Sequence, residues 1–174
     1  MCHYEARGTY TVRSECRLAL SLKIDHKNSA LTSSNVTVQI WKSMWKLLTP
    51  SKVVNFKWRA TLNILPTREL LSSRLSNVDS SYPFCGHEES VVHLCRDCAQ
   101  FREVWTSCGF PWLSSIKGIT FKLWWAALVD SCTREELFRI ACVCFFIWYG
   151  RNHFAFENQQ WSVHEILCRA GMIR

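Results

Sequence analysis

The sequence predicts a mainly α fold, a small helical domain organised around a loop of cysteine and histidine, with a short extended segment near its N-terminal end. Three observations predict it. Apolar residues recur at spacings of three and four through most of the 174 residues. Pro50, Pro66 and the Gly109-Phe110-Pro111 run punctuate these stretches. Between two of them lies the densest group of soft ligands, Cys85-x7-His93-x4-Cys98, with His87 and Cys95 inside it.

Gly8 to Val12 alternates polar and apolar residues as a short extended segment does, and Ser14 is placed to cap a helix through Leu18, Leu20 and Leu22. Asp25 to Asn35 is polar and reads as a loop. Helical spacing resumes from Val38 to Leu48, with Trp41, Trp45 and Leu48 on one face, and Pro50 ends it. Ser51 is a candidate N-cap for the next helix, on which Val54, Trp58, Leu62 and Leu65 form the apolar stripe up to Pro66. Thr67 caps a short helix running through Leu75.

Beyond the cysteine and histidine loop, Phe101, Val104 and Trp105 give Ala99 to Thr106 helical spacing, closed by Gly109. Two further helices follow, from about Ile119 to Val129 and from about Arg134 to Phe156, the length of the second outweighing its content of Phe and β-branched residues. A weaker helical pattern through Trp161, Ile166 and Leu167 ends the chain.

With 48% hydrophobic residues the chain can bury a core of its own. Its formal charge of +7 and pI near 9.0 favour a polyanionic partner. The first residues, Met1 to Arg7, contain no apolar signal core, so the 10 cysteines are read as belonging to a reducing, intracellular compartment. On that reading Cys2, Cys16, Cys108, Cys132, Cys142, Cys144 and Cys168 are free thiols, several of them on apolar helical faces where cysteine behaves as a small hydrophobe. The most apolar stretch, Leu137 to Tyr149, is too short to span a bilayer, and no membrane partner is expected.

Thiolate and imidazole ligands on short loops are what tetrahedral zinc requires. Cys85, His93 and Cys98 make a zinc-knuckle-like set with one position missing: Tyr82 stands where a two-residue knuckle would place another cysteine, and a phenol is a poor ligand at neutral pH. Cys95, in a C-x2-C relation with Cys98, or His87, beside the permissive Gly86, are the local candidates to complete the shell. The other reading is a metal-free loop held by packing of Tyr82 and Phe84. Glu88 and Glu89 are the nearby carboxylates a catalytic zinc would use, but the H-E-x-x-H and H-x-E…P-C-x-x-C signatures are absent. No adjacent aspartate pair or two-metal constellation supplies a polymerase or nuclease centre, so no enzymatic activity is assigned.

A family resemblance extends this reading. The succession Trp41-x3-Trp45, Pro50-Ser51-Lys52-Val53-x2-Phe56-x-Trp58-Arg59, Asn63-Ile64-Leu65-Pro66-Thr67-x2-Leu70-x3-Arg74, the Cys/His loop and Arg102-Glu103-Val104-Trp105 resembles the zinc-binding domain found beside reverse transcriptases of plant non-LTR (LINE-type) retrotransposons. The resemblance divides the chain into residues 8–108, the zinc-binding-like domain, and residues 109–174. The second part carries Ile147-Trp148-x2-Arg151-Asn152-x3-Phe156-Glu157 and is similar to the helical linker that precedes an RNase H domain in such polyproteins.

The family's loop begins Cys-Pro-x-Cys, so Tyr82 departs at a ligand while Cys85, His93 and Cys98 match, and Cys16 stands where Tyr is usual. The resemblance therefore implies a degenerate or excised fragment of an element, with zinc as its cofactor. It also implies neighbouring reverse transcriptase and RNase H domains as partners, and a nuclear location.

The expected role is a non-catalytic accessory domain that helps hold RNA or DNA. Lys42, Lys46, Lys52, Lys57, Arg59, Arg68 and Arg74 would meet phosphates, and exposed aromatics would stack on unpaired bases. Trp41, Trp45, Trp58 and Trp105 are assigned to the core, because each falls on an apolar stripe. The alternative is a structural or protein-interaction module with no metal.

Overall fold

The computed structural model describes residues 33–116 and 118–173. The expected extended segment at Gly8 to Val12, the helix from Ser14 and the polar stretch up to Thr32 lie outside these residues. The chain divides into two compact units, Met1–Gln39 and Ile40–Arg174. The described residues contain seven α-helices joined by 3-10 and π turns, and no strand beyond a single antiparallel bridge between Ser81 and Glu88. The mainly α expectation therefore holds.

Helix α1 (Ser33–Lys46) begins inside the stretch read as a loop. Within the second unit its C-terminal turn buries Met44 and Leu47, not the expected Trp45 and Leu48, which are 61% and 84% exposed. Trp41 is partly buried against the core. Helix α2 (Ser51–Thr61) starts after Pro50, which occupies the N-cap position without a side-chain bond, so Ser51 is the first helical residue and not the cap.

The buried side of α2 carries Val53, Phe56, Lys57, Ala60 and Thr61. That side lies about one residue, a turn of roughly 100°, from the stripe read through Val54, Trp58 and Leu62. Phe56 fixes the rotation by inserting between Phe121 and Phe145, at ring distances of 6.1 and 6.0 Å. Helix α3 (Arg68–Ser72) is capped by Thr67, whose hydroxyl accepts from the Leu70 amide at 3.3 Å, and it stops short of the expected Leu75.

After the loop, a π turn (His93–Asp97) and a 3-10 turn (Ala99–Phe101) lead into α4 (Arg102–Ser107). A 3-10 turn (Pro111–Ser115) and α5 (Phe121–Ser131), capped by Thr120, follow. Helix α6 (Arg134–Glu157) is the axis of the unit. Thr133 and Glu136 form a reciprocal capping box at its start, and Asn158 closes it in the left-handed region at φ 55°. The short helix α7 (Val163–Arg169) begins with a second capping box, Ser162 with Glu165.

The Leu137 to Tyr149 run is a core helix, as expected, with Ile140, Ala141, Val143, Cys144 and Ile147 shut from solvent. Helix α2 packs on α5 and α6, α7 on α4 and α6, and the π turn on α6. The long helix thus forms a floor under the cysteine and histidine loop. Among the described residues no helix is long and apolar enough to cross a membrane, and no cysteine is disulfide-bonded.

Candidate metal centre

The loop is a knuckle in its backbone as well as its spacing. Ser81 and Glu88 pair across it, the Tyr82 amide donates to the His87 carbonyl at 2.7 Å, and the Tyr82 carbonyl accepts from Cys85 at 3.2 Å and Gly86 at 2.8 Å. The turn needs a left-handed residue, and Gly86 supplies it at φ 71°. Cys85 enters from this turn, His93 from the first position of the π turn, and Cys98 from the extended residue that ends it.

These three converge. Cys85 Sγ lies 3.1 Å from His93 Nε2, and the donor atoms of Cys85, His93 and Cys98 all fall within 4.8 Å of one another. Zinc holds sulfur at about 2.3 Å and nitrogen at about 2.0 Å, which places tetrahedral ligands about 3.3–3.8 Å apart, so small side-chain adjustments would bring the three donors to three corners of one shell. The imidazole suits that role, because burial, with His87 beside it, lowers its pKa and keeps the ring neutral.

Burial, reinforced by Cys85, pushes the Cys98 thiol up to about 11, while the amides of Gln100 and Phe101 act in the opposite sense and favour its thiolate. A cation among the donors would tip that balance towards the thiolate.

The fourth corner differs. Tyr82 is buried, with its ring 5.4 Å from Phe84, 6.5 Å from Phe101 and edge-on to His93 at 6.3 Å. Burial, then the neighbouring Cys98 and Glu89, raise its phenol above the usual range, so it stays protonated and offers no anionic oxygen to a metal. Cys95 is not brought into the group. In the π turn its side chain faces inward, where its thiol meets that of Cys144 on α6, and the Trp105 indole donates to its carbonyl at 3.0 Å. His87 is exposed, stacks on His93 at 5.7 Å and is bonded through Nδ1 to the Cys85 carbonyl at 3.1 Å.

Two residues that sequence reasoning did not place at the site hold the loop on α6. The Arg151 guanidinium pairs with the buried Glu89 carboxylate, and Phe154 packs on Phe84 at 4.3 Å. A signal for Arg151 was present, since it is a charge just beyond the uninterrupted apolar run Ile140 to Tyr149.

The basic residues separate into three groups. Lys42, Lys46, Lys52, Arg59 and Arg74 are exposed. Arg68 is half-buried, with Nε 3.7 Å from Glu89. Lys57 is a correction: it is fully buried, its ammonium donates to the Met44 carbonyl at 3.2 Å, and it cannot reach a phosphate. The aromatic assignments are corrected as well. Trp105 is core, but Trp45 is largely exposed and Trp58 is 37% exposed.

Comparison with known proteins agrees with the character of this loop. Residues 25–105 match the family described as zinc-binding in reverse transcriptase, a span that contains all three converging donors. No curated protein and no solved structure matches the chain.

Proposed function

We propose that this chain, whose residues 25–105 match the family described as zinc-binding in reverse transcriptase, is a non-catalytic zinc-binding accessory domain of a retrotransposon-derived protein that supports nucleic-acid binding. The observation that carries the reading is the convergence of Cys85, His93 and Cys98 on a knuckle turn. These three residues would hold the ion, which supplies cross-linking of the loop and no reaction. All donors come from one short loop, as in structural sites.

The test is elemental analysis of protein purified under reducing conditions, combined with thermal unfolding before and after chelation. Near-stoichiometric zinc and a lower unfolding temperature in chelator are expected. Metal-free protein that neither takes up added zinc nor responds to chelator would sink the metal reading.

A specific observation favours a second reading, a metal-independent structural module. Tyr82, Phe84, Phe101 and Phe154 pack the loop together, and Glu89 with Arg151 anchors it, contacts made by side chains other than the three donors. Wild-type stability unchanged by zinc and by chelator, with no nucleic-acid affinity, is the outcome that selects it.

A further inference from the structure

The positive charge of this chain is concentrated in one part of its sequence. Between Asp25 and Glu69 there is no acidic residue, and the seven basic residues of that interval equal the formal net charge of +7, so the rest of the chain is balanced. Helix α2 lies wholly inside the interval. Its buried side is Val53, Phe56, Ala60 and their neighbours, and its opposite side presents Lys52, Asn55, Trp58, Arg59 and Leu62 at spacings of three and four.

Lys52 and Arg59 make no ion pair with a described residue, and Trp58 keeps 37% of its surface in solvent although Trp105, Trp124 and Trp125 of the same unit are buried.

We propose that this outward face of α2 is a binding surface for single-stranded nucleic acid. The inference rests on the nucleic-acid role proposed above and assigns it to one helix face. Two cations two turns apart meet successive phosphates, the indole between them offers a stacking platform, and the Asn55 amide can both donate to and accept from a base edge. Charge complementarity selects the occupant, because a polyanion meets no acidic residue on this helix. The indole selects the single strand, because a base must leave its partner to lie against a ring on a convex helix surface.

The experiment is fluorescence anisotropy of a labelled single-stranded RNA of about 12 nucleotides with the full chain across a salt series. Lys52→Ala combined with Arg59→Ala should weaken binding roughly tenfold and reduce the slope of log affinity against log salt by about 1.4, the value for two single-strand phosphate contacts. Trp58→Ala should also weaken binding roughly tenfold but leave the slope unchanged, since stacking releases no counterions. Trp58→Phe should recover most of the loss and serves as the informative variant if Trp58→Ala does not fold.

Arg102→Ala, an exposed cation outside the acid-free interval, is the control and should bind as wild type. Wild-type affinity in the Lys52/Arg59 and Trp58 variants overturns the assignment to this face while leaving the nucleic-acid role standing. Duplex RNA bound as tightly as the single strand overturns the stacking mode. Absence of binding by the wild-type chain overturns both this inference and the nucleic-acid part of the proposed function, but not the metal part.

Discussion

Arg151 on α6 pairs through Nε with Oε1 of Glu89, a carboxylate with no exposed side-chain surface, and so ties the cysteine and histidine loop to the longest helix among the described residues. The second carboxylate oxygen has no hydrogen bond of its own, and Arg68 stands 3.7 Å from it. Burial raises the Glu89 pKa, and the two guanidinium groups oppose that shift.

Removing the arginine therefore leaves a buried charge with only the half-exposed Arg68, 3.7 Å away, to oppose it. Arg151→Met is expected to cost about 3 kcal/mol at pH 7, measured by denaturant unfolding, whereas Arg151→Met with Glu89→Gln should recover most of it because no charge is left behind. The pH dependence has a definite sign. A carboxyl with a raised folded pKa binds its proton more readily in the native state, so its cost grows as pH rises above the ordinary carboxylate value. The Arg151→Met defect should accordingly shrink towards pH 4, where a protonated Glu89 needs no partner.

Lys57 is the second buried charge, and it acts in the opposite pH window. Burial lowers its pKa from 10.5 to about 8, with the neighbouring Cys142 thiol opposing the shift. The unfolded chain then holds the proton more tightly than the native one between those values, so stability from this group rises as pH climbs from about 8 to 10.5. At pH 7 the protonated amine is a standing cost of at most about 3 kcal/mol. Lys57→Met loses the bond to the Met44 carbonyl but removes that cost. It should be as stable as wild type or more stable by about 1–2 kcal/mol at pH 7, and the advantage should disappear by pH 10.5. A variant that is clearly less stable at pH 7 would show that the Met44 bond outweighs the burial cost.

The contrast between α6 and α2 explains which parts of the fold were legible in the sequence. Helix α6 carries its own limits, Thr133 with Glu136 at one end and Asn158 just past the other, and the length of its apolar run favours a core helix over a strand. Helix α2 carries two overlapping apolar stripes, Val54 with Trp58 and Leu62 or Val53 with Phe56 and Ala60, and both obey helical spacing. The choice between them is made by Phe121 and Phe145, which local periodicity does not contain.

The metal loop divides in the same way. Cys85, His93 and Cys98 could be read because their residue types and spacing are those of a knuckle, although the turns that carry them make the convergence. The inward turn of Cys95 depends on a π turn and on Cys144, and the clamp from Arg151 comes from 62 residues away.

Gly118 tests the packing of the segment between the loop and α5. A Cβ built there would stand 2.6 Å from the Trp124 backbone nitrogen and 2.7 Å from its Cα, neither of which can swing aside. The Gly118 carbonyl also accepts from Arg96 Nη1 at 2.8 Å, which ties this crossing to the π turn that carries His93. Gly118→Ala is expected to destabilise by about 1–3 kcal/mol through a forced backbone shift. The shift should also reach His93, detected by a change in its imidazole resonances. A neutral result in thermal unfolding would show that the segment yields without cost.

Tyr82 decides how far this loop has departed from a four-ligand knuckle. Its backbone already makes the knuckle bonds, since its carbonyl accepts from Cys85 and Gly86, so a cysteine introduced there would start from the position a first ligand occupies. Tyr82→Cys removes a buried ring that packs on Phe84, Phe101 and His93, and without metal it should lose about 3 kcal/mol. With zinc the new thiolate completes the tetrahedron, and the binding free energy becomes folding free energy. The two proteins are therefore expected to exchange order: Tyr82→Cys melts below wild type in chelator and above it in excess zinc, with tighter zinc binding in competition against a chromogenic chelator. If the variant stays below wild type at every zinc concentration, the aromatic packing has displaced the fourth corner too far for a side chain at this position to reach it.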